Sequence, residues 1–363
     1  MTTQYVLYRP EVEIIDEHEE QVIGDILASM HRLDDRTKAM YGRHVRTSHA
    51  KSHGLAVGQL TVLDNLPEHL AQGLFAQPGT YGVIVRLANV PGEIVPDAVN
   101  TQRGFSFKIL GVEGPKLPGH EGQTTQDFIL DSGTTYFPNA DMKSFLLLQR
   151  TLIEHLPKVP DGIKEAVSTA ARVTNEALSV VGLDNAKLNF AGDARVNPVA
   201  EAYYSQVPIR YGTYIAKLAV VPVSSAQKAL ADVELDSTDP NALRTATVGY
   251  LKNHDAEFEI RIQLCTDLEK MPVEDANKEW NEEDSPYLPV ARIILPRQDA
   301  YSEARQQYVE ALSFCPSHSL EAHRPLGSIM RARLRVYPEM SRHRRAGNHQ
   351  PLGEPTSLEA IPA

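Results

Sequence analysis

The chain has 363 residues, of which 42% are hydrophobic, and it carries a net charge of -11 at pH 7. This composition supports a sizeable core in one large domain or two ordinary ones, and the acidic balance argues against a nucleic acid or an anionic membrane as partner. No segment reaches transmembrane length, the N-terminus lacks the pattern of a signal peptide, and the only cysteines are Cys265 and Cys315, so we expect a cytoplasmic protein in a reducing compartment.

Residues 11–40 interleave acidic and apolar positions, which predicts an amphipathic helix. Further along, β-rich runs are separated by helical patterns without strict β-α-β alternation, which indicates an α+β chain around an antiparallel sheet. Beyond about residue 347 the chain is rich in Pro, Gly, Glu and Ser, and we expect a loosely held tail. The predicted strands cover residues 55–64, 81–90, 103–112, 125–132, 209–222, 257–267 and 289–296, and the predicted helices cover residues 139–156, 160–182, 224–232, 301–311 and 325–345.

The first segment that suggests chemistry is Arg-Thr-Ser-His-Ala-Lys at residues 46–51. His49 is one of 13 histidines, and a histidine by itself is more often a surface or hydrogen-bonded buried residue than a catalytic one. Its surroundings favour a functional role, because a predicted strand follows it directly. The next two predicted strands carry Arg86 and Arg103.

The second segment lies near the end of the chain, where Arg333, Tyr337 and Arg344 have the spacing of one helix face. A free tyrosine has a pKa of roughly 10, so it becomes an anionic iron ligand at neutral pH only beside a cation such as an arginine or the metal itself. Taken alone, the segment favours the plainer interpretation of a basic amphipathic helix with Tyr337 packed on the core. Pro338 predicts a kink or a helix start at that position.

Together these segments resemble the catalases. Members of that family carry Arg-x-x-His-Ala-Lys-Gly, Val-Arg-Phe-Ser, Arg-Gly-Phe-Ala-x-Lys and Arg-x-x-x-Tyr-Pro in this order, and the chain has counterparts at residues 46–51, 85–88, 103–108 and 333–338. Within that family, the chain resembles the short catalase-related haem proteins. This resemblance implies a catalase-like antiparallel β-barrel with surrounding helices. It also implies an N-terminal arm at residues 1–40, a haem domain at 41–346 and a flexible tail at 347–363.

The resemblance further implies a bound haem b, with Tyr337 as the proximal iron ligand and His49 as the distal acid and base. Arg333 would stabilise the tyrosinate. The arginines that the resemblance places against the haem propionates, a role that suits the guanidinium fork, are Arg46, Arg86 and Arg344. Arg103 lies in a matching motif but could equally be a structural ion-pair partner.

Three departures from the large catalases fall in the distal pocket. Ser48 stands where the family usually has valine, and Ala88 stands where a serine orients the distal histidine. The distal asparagine is missing from its expected segment, where Asp131 or Ser132 is nearest. We take Ser48, His49 and Ser132 as the catalytic candidates.

These features predict an enzyme that cleaves hydroperoxides by haem chemistry, with organic hydroperoxides, including lipid-derived ones, preferred and only weak catalase turnover. One alternative is a fatty-acid hydroperoxide isomerase or lyase, as in the allene oxide synthases. A haem-binding carrier or sensor with little turnover is another, and a haem-free structural relative is a third. We expect a homodimer without bound NADPH.

Overall fold

The structure, a computed structural model, describes residues 4–179, 185–236, 238–351 and 353–362. Within these residues nine antiparallel strands run in the order β5-β4-β3-β2-β1-β9-β8-β7-β6, and an additional pairing of β5 with β7 closes eight of them into a barrel. The predicted antiparallel barrel is confirmed. The strands are β1 Ser52–Val62, β2 Thr80–Asn89, β3 Arg103–Leu110, β4 Thr125–Ser132, β5 Tyr203–Tyr204, β6 Ile209–Tyr211, β7 Tyr214–Pro222, β8 Ala256–Leu264 and β9 Leu288–Leu295.

Aromatic and branched side chains fill the barrel, since alternate residues of a strand face the same side. In β3 the side chains of Phe105, Phe107 and Ile109 point into this core. Every residue of β3 is nevertheless buried, because its outer face is also covered. Gly104 contacts the His49 ring there, and Ser106 lines a cavity. The outer face of β3 is therefore the wall on which the candidate site is built.

Helices surround the barrel, and two from opposite ends of the chain cover the site. Helices α1 and α8 pack against each other and against α2 through an apolar cluster that includes Ile26, Met30 and Val336. None of the described helices combines the length and apolar character needed to cross a membrane. The helices are α1 Glu19–Tyr41, α2 Met142–Thr151, α3 Asp161–Ser179, α4 Ala186–Ala191, α5 Ser225–Lys228, α6 Ala242–Asn253, α7 Glu303–Ala311 and α8 Ser328–Gly347.

Several predicted elements differ from the observed ones. The predicted strand at 209–222 is a hairpin, because the chain turns at Gly212, whose φ of +61° favours glycine. The helix predicted at 139–156 ends at Thr151 and continues as a 3-10 helix, Ile153–Lys158, that contains a proline. Residues 180–182 of another predicted helix lie outside the described residues. Helix α6 was not predicted.

Pro338 lies inside α8 and does not begin it, so the predicted helix start there is wrong. Helix α8 begins ten residues earlier at Ser328, after Gly327, whose φ is +86°. A proline removes one backbone hydrogen bond from a helix. Here the packing of α8 against α1 and α2 keeps the helix continuous on both sides of it.

Described residues after α8 contact the barrel. Glu354 forms an ion pair of 3.0 Å with the buried Lys108 of β3, and Ile361 is buried against Leu55 and Ile84. These contacts attach at least two points of the segment that the sequence predicted to be loosely held. The division into arm, haem domain and tail stays a prediction.

Candidate functional site

Two adjoining cavities lie between the barrel wall and α8. The larger, here called the main cavity, has a volume of about 410 Å³, and the smaller, the arginine cavity, has about 90 Å³. Both are bounded by Ser48, His49 and Tyr337. The two segments that the sequence singled out, near the start and near the end of the chain, therefore meet at one place.

The backbone of His49 adopts a left-handed conformation with a φ of +55°. Few non-glycine residues do so, and such conformations persist where the surroundings enforce them, often at functional sites. Its N–H donates to the Val90 carbonyl at 2.8 Å, and its carbonyl accepts from Arg86 Nη2 at 2.6 Å. The end of β2 and the arginine of the same strand thus hold the histidine just ahead of β1.

The His49 ring rests on a glycine of the barrel wall. A Cβ atom at Gly104 would lie 2.5 Å from His49 Nδ1, closer than atoms in contact can approach, so the ring position requires glycine here. Asp131 is the partner of Gly104 across the β3–β4 pair, and its Oδ1 lies 3.5 Å from His49 Nε2 without a hydrogen bond. His49 Nδ1 and Asp131 Oδ1 are both buried and lack a hydrogen-bond partner. Two polar groups are thus available to a molecule in the main cavity.

Burial shifts the pKa values of His49 and Asp131 in opposite directions. It lowers the pKa of His49 to about 3, and the positive charges of Arg86 and Arg333 add to the effect. Burial also raises the pKa of Asp131 to about 6, against the opposing effect of Arg333. At pH 7 the imidazole is neutral and the carboxylate is mostly ionised. The pair can therefore accept a proton from a bound molecule.

The two serine candidates have different positions. Ser48 lines both cavities, and its hydroxyl donates to the Val90 carbonyl at 3.3 Å. Ser132 borders neither cavity, since its hydroxyl donates to Asp193 at 2.8 Å and accepts from the Arg103 N–H at 3.0 Å. Neighbouring strand residues face opposite sides, so only one of residues 131 and 132 can face His49. The structure places Asp131 there, and Ser132 is replaced as the distal candidate.

Two further buried side chains in or near the sequence motifs lie outside the cavities. His53 is fully buried, and its Nε2 is 2.7 Å from Asn89 Oδ1. Arg103 is fully buried as well and forms ion pairs with Glu201 and Asp193. Its position corresponds to the structural ion-pair role that the sequence left open. Neither side chain faces the candidate site.

Helix α8 presents Arg333 and Tyr337 to the main cavity, as their spacing predicted. Arg333 Nη2 donates to the Tyr337 hydroxyl at 2.9 Å, and the guanidinium lies 5.0 Å from the centre of the tyrosine ring. Burial lowers the pKa of Arg333, but Tyr337 and Asp131 outweigh it, and the net shift is upward. Arg333 thus places a permanent positive charge at the phenol oxygen, which an anionic oxygen ligand requires.

The arginine cavity contains more positive than negative charge. Arg46, Arg86 and Arg344 line it, and Glu310, 3.6 Å from Arg46, is the nearest described carboxylate. Arg46 and Arg344 also donate to the Leu312 carbonyl, at 2.8 and 3.1 Å. Three buried guanidinium nitrogens still lack a hydrogen-bond partner, namely Arg46 Nη1, Arg86 Nε and Arg344 Nε.

Electrostatics supports this description of the arginine cavity. Burial, followed by the charge of Arg46, holds the pKa of Arg86 and of Arg344 well below the ordinary arginine value. Buried like charges are costly unless an opposite charge compensates them. The cavity therefore suits a ligand that carries carboxylates. Glu310 was not among the residues selected from the sequence, because nothing in its local pattern separates it from Glu303, the other acidic residue of α7.

The opposite end of the main cavity is apolar and open. It is lined by the segment from the end of α2 to α3, and Leu152, Ile163 and Val167 are 45%, 55% and 57% exposed there. Exposed aliphatic residues scattered singly are normal, but these three border one cavity. A molecule that enters past them meets apolar side chains before it reaches His49.

Sequence comparisons match the chain to known catalases. It is 26% identical to a catalase of Danio rerio over 324 residues, which are 85% of this chain and 57% of that protein. It is 27% identical to a catalase of Rattus norvegicus over 321 residues, which are 84% of this chain and 57% of that protein. The chain thus spans little more than half the length of these relatives. No protein-family model matches it.

Solved structures of catalases share the fold. A fungal catalase superposes with a TM-score of 0.59 at 18% identity, covering 86% of this chain and 61% of the fungal chain. Catalase A from Saccharomyces cerevisiae superposes with a TM-score of 0.60 at 16% identity, covering 95% of this chain and 68% of the yeast chain. Sequence and fold comparisons agree on the same group of proteins.

Proposed function

We propose that this chain, which is related to the catalases, binds haem b and cleaves hydroperoxides. The observation that carries the proposal is the meeting of His49 with Tyr337 and its hydrogen-bonded Arg333 at the junction of two cavities. A neutral buried base and a tyrosine beside a permanent cation suit the acid-base step and the iron ligand of catalase-type haem chemistry.

The residues present fit a haem group. Tyr337 would supply the iron ligand, and the guanidinium atoms of Arg46, Arg86 and Arg344 that lack partners suit two propionates. The apolar lining of the main cavity suits the macrocycle. When bound, haem supplies an iron centre that activates the peroxide O–O bond.

The chain itself contributes proton transfer and charge placement. His49, neutral at pH 7 because its pKa is lowered to about 3, accepts the proton of the hydroperoxide and returns it to the outer oxygen, which leaves as water or an alcohol. Ionised Asp131, 3.5 Å away, stabilises the transiently protonated imidazole. Arg333 keeps a positive charge at Tyr337 throughout.

We further propose that organic hydroperoxides are the preferred substrates. Leu152, Ile163 and Val167 border an apolar approach to His49, and Ser48 is small. Each buried methylene of a substrate adds roughly 0.8 kcal/mol of binding free energy. A hydroperoxide with an apolar tail therefore gains binding energy in this cavity that hydrogen peroxide cannot.

Spectra and kinetics of the purified protein test both parts of the proposal. We expect a haem spectrum with a 1:1 haem content, and a higher kcat/KM for cumene hydroperoxide and a fatty-acid hydroperoxide than for hydrogen peroxide. Ser48→Val should shift the ratio towards hydrogen peroxide, because the bulkier side chain narrows the pocket. A protein that takes up no haem would refute the proposal, and vigorous oxygen release with hydrogen peroxide as the best substrate would refute the substrate preference.

The apolar approach also suits a fatty-acid hydroperoxide isomerase or lyase, which rearranges its substrate instead of reducing it. Product analysis separates the two activities. A peroxidase yields the alcohol and consumes an electron donor, whereas an isomerase yields a rearranged product without a donor. Binding without turnover of any hydroperoxide would instead indicate a carrier or sensor. The expected homodimer stays a prediction.

A further inference from the structure

A second cluster of potential ligands lies outside both cavities, where α1 and α8 cross. Asp34 of α1, His44 from the segment after α1, and His343 of α8 bring one ligand atom each within 4.8 Å of one another. Asp34 Oδ2 lies 2.7 Å from His44 Nδ1 and 2.9 Å from His343 Nε2. We call this group the His-Asp-His cluster. The proposed haem chemistry uses none of its members.

The charge of this cluster is not balanced by protein cations. Asp34 is only 1% exposed, and its second oxygen, Oδ1, is buried without a hydrogen-bond partner. No lysine or arginine among the described residues forms an ion pair with it, since its recorded partners are the two histidines. A buried carboxylate is costly unless a positive charge compensates it. A bound cation would supply that charge.

We propose that the His-Asp-His cluster binds a divalent transition metal ion, with Zn²⁺ as the best match to its ligands. Two imidazole nitrogens and one carboxylate are a common zinc ligand set, whereas calcium and magnesium prefer oxygen ligands. His343 is 36% exposed, so a water molecule can complete the coordination. The ring of His31, whose centroid is 4.7 Å from that of His343, is close enough to approach the ion as well.

The local backbone supports a defined site. The His44 ring lies against Gly347, where a Cβ atom would overlap it, so the imidazole needs a glycine at the end of α8. His44 is also fixed by its backbone, because its N–H donates to Asn348 Oδ1 at 3.0 Å and its carbonyl accepts from Asn348 Nδ2 at 2.8 Å. His343, at 36% side-chain exposure, is the least buried member of the cluster.

A metal ion here would link the N-terminal helix to α8. His343 is the neighbour of Arg344 and lies less than two turns after Tyr337, so the ion would fix the helix that carries three residues of the proposed haem site, Arg333, Tyr337 and Arg344. The metal would therefore have a structural role. The inference does not depend on haem binding, since the ligands and their distances are separate from both cavities.

Calorimetric titration with Zn²⁺ tests the inference on the full chain after treatment with a chelator. We expect one equivalent to bind, and Co²⁺ to give the visible absorption of a site with nitrogen ligands. Asp34→Asn keeps the size of the side chain but removes its charge, and should weaken Zn²⁺ binding by roughly 10-fold or more. His343→Ala, at a partly exposed position, should remove the Co²⁺ absorption while the protein stays folded. His254→Ala, an exposed histidine after α6, is the matched control and should bind as the unaltered chain does.

Thermal unfolding provides a second readout. Zn²⁺ should raise the Tm of the unaltered chain and of His254→Ala, but not that of His343→Ala, because binding to the native state alone stabilises it. Mg²⁺ should have no effect. Equal Zn²⁺ affinity in the unaltered chain and both cluster variants, or no binding at all, would overturn the inference. Measurements with and without haem separate this result from the proposed function, because the metal stoichiometry should be the same in both.

Discussion

The two cavities that meet at His49 and Tyr337 differ in the side chains that line them. Three arginine side chains line the arginine cavity, whereas no carboxylate of the described residues lines it and Glu310 lies 3.6 Å from Arg46, so the cavity suits a negatively charged group. The main cavity has mostly apolar walls, and His49 and Asp131 are among the polar residues that border it, so it suits a molecule that exchanges a proton with them. The arginine cavity suits a permanent anionic group, and the main cavity suits a reacting molecule.

This difference assigns separate tasks to neighbouring residues. Changes in the arginine cavity should alter how tightly the cofactor is held, whereas changes around His49 should alter the rate of the reaction on the cofactor. Tyr337 borders both cavities and should affect both properties. The following substitutions test that separation, beginning with the largest expected effect.

Tyr337→Phe should abolish most haem retention. The variant loses the phenol oxygen, and Arg333 loses the hydrogen bond that it donates to it. The haem-to-protein ratio after purification, from absorption spectra, measures the effect. Tyr81→Phe, at a half-buried tyrosine of β2 outside both cavities, should keep its haem. Full haem content and an unchanged spectrum in Tyr337→Phe would exclude this residue as the ligand.

His49→Ala should keep its haem but slow hydroperoxide cleavage by roughly two to four orders of magnitude, the contribution typical of a positioned acid and base. Stopped-flow rates per haem provide the measurement. His53→Ala should change the rate per haem much less, because His53 is hydrogen-bonded to Asn89 and faces neither cavity. The reverse ranking would transfer the distal role to His53.

Gly104→Ala should slow the reaction by about 100-fold without loss of haem, because its Cβ would displace the His49 ring, and an error of about 1 Å in a catalytic group can cost that much. Gly249→Ala in α6 is the control, since a Cβ atom there meets no atom within 4 Å. If the Gly104 variant reacted at the normal rate, the ring position observed here would not be the catalytic one.

Arg344→Met should have opposite effects on the two forms of the protein. Haem affinity should fall roughly 10- to 100-fold, the equivalent of one charged hydrogen bond. The haem-free protein should unfold at a higher temperature, since one of three mutually repelling buried charges is gone. Haem titrations and thermal unfolding measure both. Arg335→Met, an exposed arginine of the same helix, should change neither. A destabilised haem-free variant would contradict the proposed charge imbalance.

Asp131→Asn should remove a pH dependence. The pKa of Asp131 is raised to about 6, so the carboxyl is ionised above that pH and protonated below it. Because the ionised form stabilises protonated His49, the rate of the unaltered protein should rise about ten-fold between pH 5 and pH 7. The amide does not titrate, and the variant should have a flat profile over this range. The same inflection near pH 6 in both proteins would assign it to another group.

The antiparallel sheet was predicted from the strand and helix patterns, whereas its closure as a barrel and the joint site of His49 and Tyr337 were predicted through the resemblance to the catalases. The spacing of Arg333 and Tyr337 predicted one helix face without that resemblance. The left-handed backbone of His49 leaves no local pattern and was not predicted. The chain turn at Gly212 and the helix α6 left weaker patterns, and both were missed.

The sequence could not decide between Asp131 and Ser132. Which one faces His49 depends on the register of β4 against β3, and a shift of one residue exchanges the two faces. Gly104 lies within a predicted strand, where a glycine often marks the close approach of another group. That group, the His49 ring, comes from a distant segment, so the sequence could not identify it. The excess of positive charge in the arginine cavity could not be predicted either, because it depends on side chains that only the fold brings together.

The position of Arg46 has a consequence for the order of events during synthesis. Its guanidinium donates to the carbonyl of Leu312, 266 residues later in the chain, and Tyr337 emerges from the ribosome later still. At translation rates of about 5 to 20 residues per second, on the order of tens of seconds pass between the synthesis of His49 and that of Tyr337, which lies on the opposite wall of the site. If the proposed function holds, haem insertion follows the synthesis of α8, and a product truncated before α8 would lack Arg333 and Tyr337.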